Sequence, residues 1–136
     1  RDWSSDVLLF RSVPFHLPFR EWDGDVTAAR RALTRIAGLP NVYAKISNVV
    51  RRVDGRIVED AEFYRPGLVM LWELFGPDRA MFGSNWPVSN RVAPYACVYK
   101  VLADYFSTKE RSEAEKFFWK NSKEAYQWKP REQALS

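Results

Sequence analysis

Apolar and polar positions along the chain follow two alternating periods, which predicts short strands separated by helices. Three apolar runs have the length and β-branched or apolar composition of buried strands: part of residues 7–15, residues 42–47 and residues 80–83. Apolar residues recur at helical spacing between and after these runs, which predicts helices over residues 26–37, 66–75, 95–105, 109–119 and 121–127. Strand–helix alternation of this kind predicts an α/β fold with a parallel sheet and helices outside it.

The boundaries of several elements carry their own signals. Asp25 has the residue type of a helix N-cap, and Gly38 has the residue type that ends a helix. Asp54 and Gly55 predict a tight turn within a long polar connection. The sequence therefore indicates one domain over residues 1–136, with a frayed tail over residues 129–136.

Composition narrows the class of protein. The 136 residues are 46% hydrophobic and 15% aromatic, which is typical of a folded domain and not of a disordered chain. No run approaches the roughly 20 apolar residues of a membrane span, so we expect a soluble, cytoplasmic protein without a membrane partner. Cys97 is the single cysteine, cannot form an internal disulfide, and is interpreted as a buried small hydrophobe.

The net charge of +4 does not indicate a nucleic-acid-binding protein. The basic residues are scattered along the chain, and Arg30, Arg31 and Arg35 have the spacing of a solvated helix face. No nucleic-acid-reading motif accompanies them. We therefore expect a small-molecule partner and no nucleic acid.

Four segments together resemble a known family. Residues 79–87, Arg-Ala-Met-Phe-Gly-Ser-Asn-Trp-Pro, resemble the last-strand motif of the amidohydrolase-related (amidohydrolase 2) family of lactonase-type, metal-dependent TIM-barrel hydrolases. Residues 40–47 are similar to the preceding strand of that family, and residues 13–18 to an earlier His-Leu-Pro strand end. Residues 117–122, with Ala125 and Tyr126 after them, resemble its closing helix, where an Asn caps a turn.

The resemblance implies that this chain is the C-terminal portion, about three β/α units, of a TIM (β/α)₈ barrel. Such a barrel typically needs about 250 residues. Three parallel strands alone would leave two open sheet edges, which invite pairing with another chain. The expected partner is therefore the missing N-terminal half of the barrel, or another copy in a homo-oligomer, and the isolated chain is expected to be inactive.

The reaction that the resemblance implies is the opening of a lactone or similar cyclic ester by an activated water. In the family an Asp at the end of the last strand activates the water, and Asn85 stands at that position here. Asn cannot accept a proton at neutral pH. This leaves a weakened enzyme, an enzyme with another base, or a non-catalytic or truncated relative with a ligand-binding or interaction role. By local chemistry alone, the Gly-Ser-Asn-Trp-Pro corner is also an ordinary strand-ending turn.

His16 is the only histidine, and the resemblance gives it a catalytic role as a carbonyl-polarising donor or a role as a metal ligand. A packed, hydrogen-bonded histidine is the alternative. Catalytic zinc usually has three protein ligands, and the His-x-His pair of the family is absent from this sequence. The cofactor is therefore either a divalent metal such as zinc or none.

Three further residues are candidates for binding a lactone or carboxylated substrate. Arg51 follows a predicted strand end and could hold an anionic group. Trp86 is predicted to form a wall of the pocket. Ser47 shares one strand face with Lys45, because side chains alternate along a strand, and structural roles remain open for both.

Overall fold

The structure is a computed structural model. It describes the backbone of residues 12–16 and 22–130 and the side chains of residues 30–130. Three strands form a parallel sheet, with the central strand between the other two. They are β1 (Ser12–His16), β2 (Tyr43–Ser47) and β5 (Ala80–Phe82), in the order β1–β2–β5, and a two-stranded antiparallel hairpin of β3 (Arg52–Val53) and β4 (Arg56–Ile57) follows β2. The predicted parallel α/β arrangement is confirmed for these residues.

Helices connect the strands. In chain order they are α1 (Trp22–Ala37), α2 (Ala61–Phe75), a 3₁₀ turn (Val88–Arg91), α3 (Tyr95–Phe106), α4 (Arg111–Glu115), a π-helical turn (Lys116–Lys120) and α5 (Asn121–Ala125). The last three run on without a break, so the two predicted helices over residues 109–127 are one continuous helical stretch that changes its winding.

Two predicted helix starts are wrong. Helix α1 begins at Trp22, so Asp25 lies inside its first turn and is not its N-cap. An acidic residue is also favourable there, because it faces the positive end of the helix dipole, and the sequence signal for the two positions is the same. Helix α2 begins five residues before Pro66, because the Asp60 side chain caps it by accepting a hydrogen bond from Glu62 N at 2.9 Å.

The turn predicted at Asp54 and Gly55 is confirmed and closes the β3–β4 hairpin. Both residues have a positive φ, 49° and 77°, which suits the tight connection of a two-residue hairpin. The Arg52 side chain ties this hairpin to the chain after β5: its Nε donates to Val92 O at 2.8 Å and its Nη1 to Gly55 O at 3.0 Å. The loops that follow β2 and β5 are thereby held against each other.

The described core lies between the sheet and helices α2 and α3. Ala44 and Ile46 of β2 and Ala80 of β5 are buried there. An aromatic cluster extends this core, with Phe106 stacked on Phe117 at a centroid distance of 4.0 Å. One face of the sheet is therefore covered by helices, and alternate residues of the same strands point to the opposite face.

Candidate functional site

The carboxyl ends of the three parallel strands lie along one edge of the sheet. The register places His16 of β1 beside Ser47 of β2, and Ile46 of β2 beside Phe82 of β5. In α/β barrels the loops that follow the strands at this edge build the active site. Two predicted site residues, His16 and Ser47, thus have neighbouring backbone positions at this edge, which we call the carboxyl edge.

An asparagine in the left-handed conformation follows each of the two strands β2 and β5. Asn48 directly follows β2 with φ 54°, and Asn85 lies three residues past Phe82 with φ 55°. Asparagine adopts this region more readily than most residues, because its short polar side chain tolerates it. Both positions are therefore sharp corners that turn the chain away from the sheet.

Hydrogen bonds within the second corner fix its shape. Asn85 O accepts from Ser89 N at 2.8 Å, and Trp86 N donates to Ser84 Oγ at 3.1 Å. The Asn85 side chain itself is partly exposed and forms no hydrogen bond with the described residues. The corner is thus a stable turn that leaves the Asn85 amide for other contacts, so the turn interpretation and the site interpretation are compatible.

Lys45, Ser47 and Gly83 meet on the sheet face opposite the helices. A Cβ atom added to Gly83 would lie 2.7 Å from Lys45 Cγ and 2.9 Å from Ser47 Cβ, both closer than such contacts occur. Only glycine therefore allows the two β2 side chains to lie across β5 at this point. Ser47 is buried, and its position beside Gly83 brings it next to the chain that leads to Asn85.

Arg51 lies just beyond the carboxyl edge and is half-buried. Its Nη1 donates to Asn48 O at 3.0 Å, and its backbone N donates to Tyr64 Oη at 3.0 Å. The Tyr64 hydroxyl in turn donates to Val58 O at 2.7 Å, and burial raises the pKa of this tyrosine. The predicted substrate-binding arginine is thus part of the framework that holds the loop after β2.

The Trp86 side chain is 62% exposed. It packs against little of the described chain, so its predicted role as a pocket wall stays a prediction. The side chain of His16 is outside the described residues, and its predicted roles also stay predictions.

The roles of two residues near this site could not be inferred from the sequence. Arg52 bridges the two loops, as described above, and only its long-range partner Val92 reveals the role. Ser89 is buried, and its hydroxyl has no hydrogen-bond partner among the described residues. An unpartnered buried hydroxyl costs about 1–3 kcal/mol, which marks this turn after β5 as unusual.

Cys97 and Glu59 form the third feature that sequence reasoning missed. The cysteine is half-buried and not fully buried as expected. Burial raises the pKa of its thiol, and the negative charge of the neighbouring Glu59 carboxylate raises it further. This thiol is therefore held in its protonated, weakly nucleophilic form.

No cluster of three or more His, Cys, Asp or Glu side chains suited to a metal ion occurs among residues 30–130. Within the same part of the chain, no helix is long and apolar enough to cross a membrane.

Comparison with known proteins gives consistent results for sequence and structure. The family model described as amidohydrolase matches residues 16–128. An L-fucono-1,5-lactonase of Burkholderia multivorans is 40% identical over 81 residues, 55% of this chain and 27% of the lactonase. An uncharacterised protein of Sinorhizobium fredii is 36% identical over 86 residues, 61% of this chain and 28% of that protein.

Solved amidohydrolase structures have the same fold over most of the chain. A Burkholderia multivorans amidohydrolase with bound HEPES superposes with a TM-score of 0.74 at 26% identity, covering 87% of this chain and 44% of that one. A form of the amidohydrolase with bound zinc gives 0.72 at 23% identity, with the same coverage. An amidohydrolase of Bifidobacterium longum subsp. infantis gives 0.63 at 26% identity, covering 87% and 40%. The chain spans less than half the length of the solved structures that it matches.

Proposed function

Because the chain belongs to the amidohydrolase family, we propose that it forms part of a hydrolase that opens a lactone or similar cyclic ester at the carboxyl edge. One structural observation carries the proposal: the parallel register brings the ends of β1, β2 and β5, with His16, Ser47 and the Asn85 corner, to one edge of the sheet. The likeness to an L-fucono-1,5-lactonase supports the substrate class.

The proposed whole protein is a (β/α)₈ barrel, of which this chain supplies about three β/α units from the C-terminal portion. The described sheet leaves one side of β1 and one side of β5 without a neighbouring strand. The remaining units, on the same polypeptide or supplied by another copy, would close the barrel and complete the pocket. The face that carries Lys45, Ser47 and Gly83 would then line the barrel interior.

In the proposed reaction, a water oxygen attacks the lactone carbonyl carbon while the carbonyl electrons move to the carbonyl oxygen. The tetrahedral intermediate then collapses, the ring C–O bond breaks, and its electrons go to the ring oxygen, which takes up a proton. Asn85 orients the water or the carbonyl by hydrogen bonds, since an amide cannot accept the proton. His16 is the proposed base that removes the proton of the water.

Arg51 and Trp86 are the proposed substrate-binding residues beside this centre. The guanidinium of Arg51 donates to Asn48 O beside the carboxyl edge, and its positive charge suits a carboxylate or hydroxyl of the substrate. Trp86 presents an exposed indole at the same corner, where it can cover a bound sugar-like ring. Ser47 would contribute a hydroxyl from the strand end.

Zinc enters the proposal only through the zinc-bound form of the Burkholderia amidohydrolase. The described residues do not by themselves fit a zinc site, since they contain no suitable cluster of ligands. His16 could supply at most one ligand. No step above is therefore assigned to a metal.

The test is hydrolysis of a panel of five- and six-membered sugar lactones, with and without added zinc, by the longest protein that the native gene produces. We expect Asn85→Asp to raise kcat by about 10²-fold, because it restores a proton acceptor at the family position. Asn48→Asp is the matched control, since it introduces the same charge in the same left-handed conformation at the neighbouring strand end. His16→Asn should lower kcat by a similar factor in the wild-type background.

Two results would contradict the proposal. Absence of hydrolysis in both the wild-type protein and Asn85→Asp would exclude the lactone reaction and favour a ligand-binding relative. An equal rise in kcat for Asn48→Asp and Asn85→Asp would show that the added negative charge does not need to be at position 85.

A further inference from the structure

Lys45 lies on the face of the sheet that the core helices do not cover. Its strand neighbours Ala44 and Ile46 are buried in the core between the sheet and helices α2 and α3. Side chains alternate along a strand, so Lys45 points to the opposite face. The register pairs it with Met81 in β5, two residues before Gly83.

The stem of Lys45 follows a defined path along that face. Its Cγ and Cδ would lie 2.7 Å and 3.0 Å from a Cβ atom at position 83, so the stem occupies the space that only glycine leaves open. Its Nζ lies 5.5 Å from the centroid of the Tyr126 ring. The side chain is therefore directed across β5, the strand that leads to Asn85.

The charge of Lys45 has no anionic partner in the part of the chain that the structure describes. Its ammonium there contacts the Tyr126 ring, and none of the ion pairs between these residues includes it. The neighbouring arginines differ, because Arg52 and Arg79 each donate to at least two backbone carbonyls. The Tyr126 ring attracts the half-buried ammonium by a cation–π contact, which does not neutralise its charge.

We propose that Lys45 is an anion-binding residue of the site, whose ammonium stabilises the negative charge on the substrate carbonyl oxygen. This inference rests on the proposed lactone hydrolysis and deepens it. As water attacks, the carbonyl oxygen becomes an oxyanion, and the positive charge of Lys45 stabilises it without giving up a proton. The carboxylate of the hydroxy-acid product presents the same charge to the same ammonium after the ring opens.

The key variant is Lys45→Met, which keeps the length of the stem and removes the charge. We expect kcat for lactone hydrolysis to fall by about 10²-fold with KM changed by less than threefold, as for loss of an oxyanion donor. Lys45→Arg should retain a part of the activity because it retains the charge. Lys100→Met is the control, since Lys100 forms an exposed ion pair with Asp104 on α3.

Stability separates this role from a structural one. If Lys45 only supported the fold through Tyr126, Lys45→Met would lower the melting temperature together with the activity. Under the proposal the variant keeps or raises the melting temperature, because it removes a half-buried positive charge that has no anionic partner among the described residues. A fall in the melting temperature as large as that of Tyr126→Leu would overturn the proposal.

A binding measurement separates this proposal from the lactone reaction itself. The probe is D-gluconate, an open-chain hydroxy-acid, added at increasing concentration in a thermal-shift titration. Protection of the wild-type protein that is lost in Lys45→Met supports the anion site, even if no lactone of the panel is opened. Lactone hydrolysis that Lys45→Met leaves unchanged would overturn the role of Lys45 and leave the proposed function standing. If gluconate protects neither protein and no lactone is opened, both proposals are wrong.

Discussion

At the scale of single residues, the environment of Cys97 predicts a slow rate of thiol alkylation, which can be measured without a substrate. Burial, and then the adjacent Glu59 carboxylate, raise the pKa of this thiol, so less thiolate is present at a given pH. We expect iodoacetamide to alkylate Cys97 more slowly than free cysteine at pH 8, and Glu59→Gln to speed the reaction several-fold. The modification rate can be followed by intact mass, because the chain has no other cysteine.

The control is Glu124→Gln, which removes an exposed carboxylate on α5. It should leave the alkylation rate unchanged. A Glu59→Gln protein that reacts no faster than the wild type would show that burial alone raises the pKa of the thiol.

At the scale of elements, one buried side chain joins the C-terminal helical stretch to the sheet. Asn121 Nδ2 donates to Pro77 O at 2.7 Å and to Ala80 O at 2.8 Å, so it fixes the turn before β5. Asn121→Ala removes both bonds, and we expect the free energy of unfolding to fall by about 1–3 kcal/mol. Urea unfolding of the longest native product measures it. Ser122→Ala, which removes an exposed bond to Trp119 O, should change stability by less than about 0.5 kcal/mol. Equal effects of the two substitutions would contradict the anchoring role.

At the scale of the whole molecule, the open sides of the described sheet predict association. Strands β1 and β5 each have one strand neighbour, and unpaired backbone groups at such edges can bind another chain. Large exposed aromatic side chains add apolar surface, among them Trp86, Trp119 and Trp128. We expect the 136-residue chain, expressed alone at micromolar concentration, to elute as oligomers in light-scattering chromatography. A monodisperse species of 15.9 kDa would show that the three-stranded unit is self-sufficient.

The burial of the aromatic residues of α3 could not be predicted from the sequence, because it depends on tertiary packing. The aromatic residues of α3 have a helical period, yet that period does not say which of them face the core. Tyr105 and Phe106 are buried, whereas Tyr95 and Tyr99 are 45% and 46% exposed. The choice depends on where α2 and the π-helical turn lie, and this is a long-range property. The start of α1 was missed for a related reason, since an N-cap and a first-turn acid have the same local chemistry.

The sequence by itself determined the three parallel strands, their order along the chain and the polar corner at Asn85. Short apolar runs and turn residues act locally, so their pattern is sufficient to place these elements. Only the tertiary structure decided which side chains meet: Lys45 across Gly83, Arg52 on Val92 O, and Asn121 on the turn before β5. Arg52–Val92 and Asn121–Ala80 join residues about forty positions apart, and Lys45–Gly83 joins strand β2 to the residue that follows β5. No local pattern encodes them, because they exist only once the strands have paired and the helices have packed.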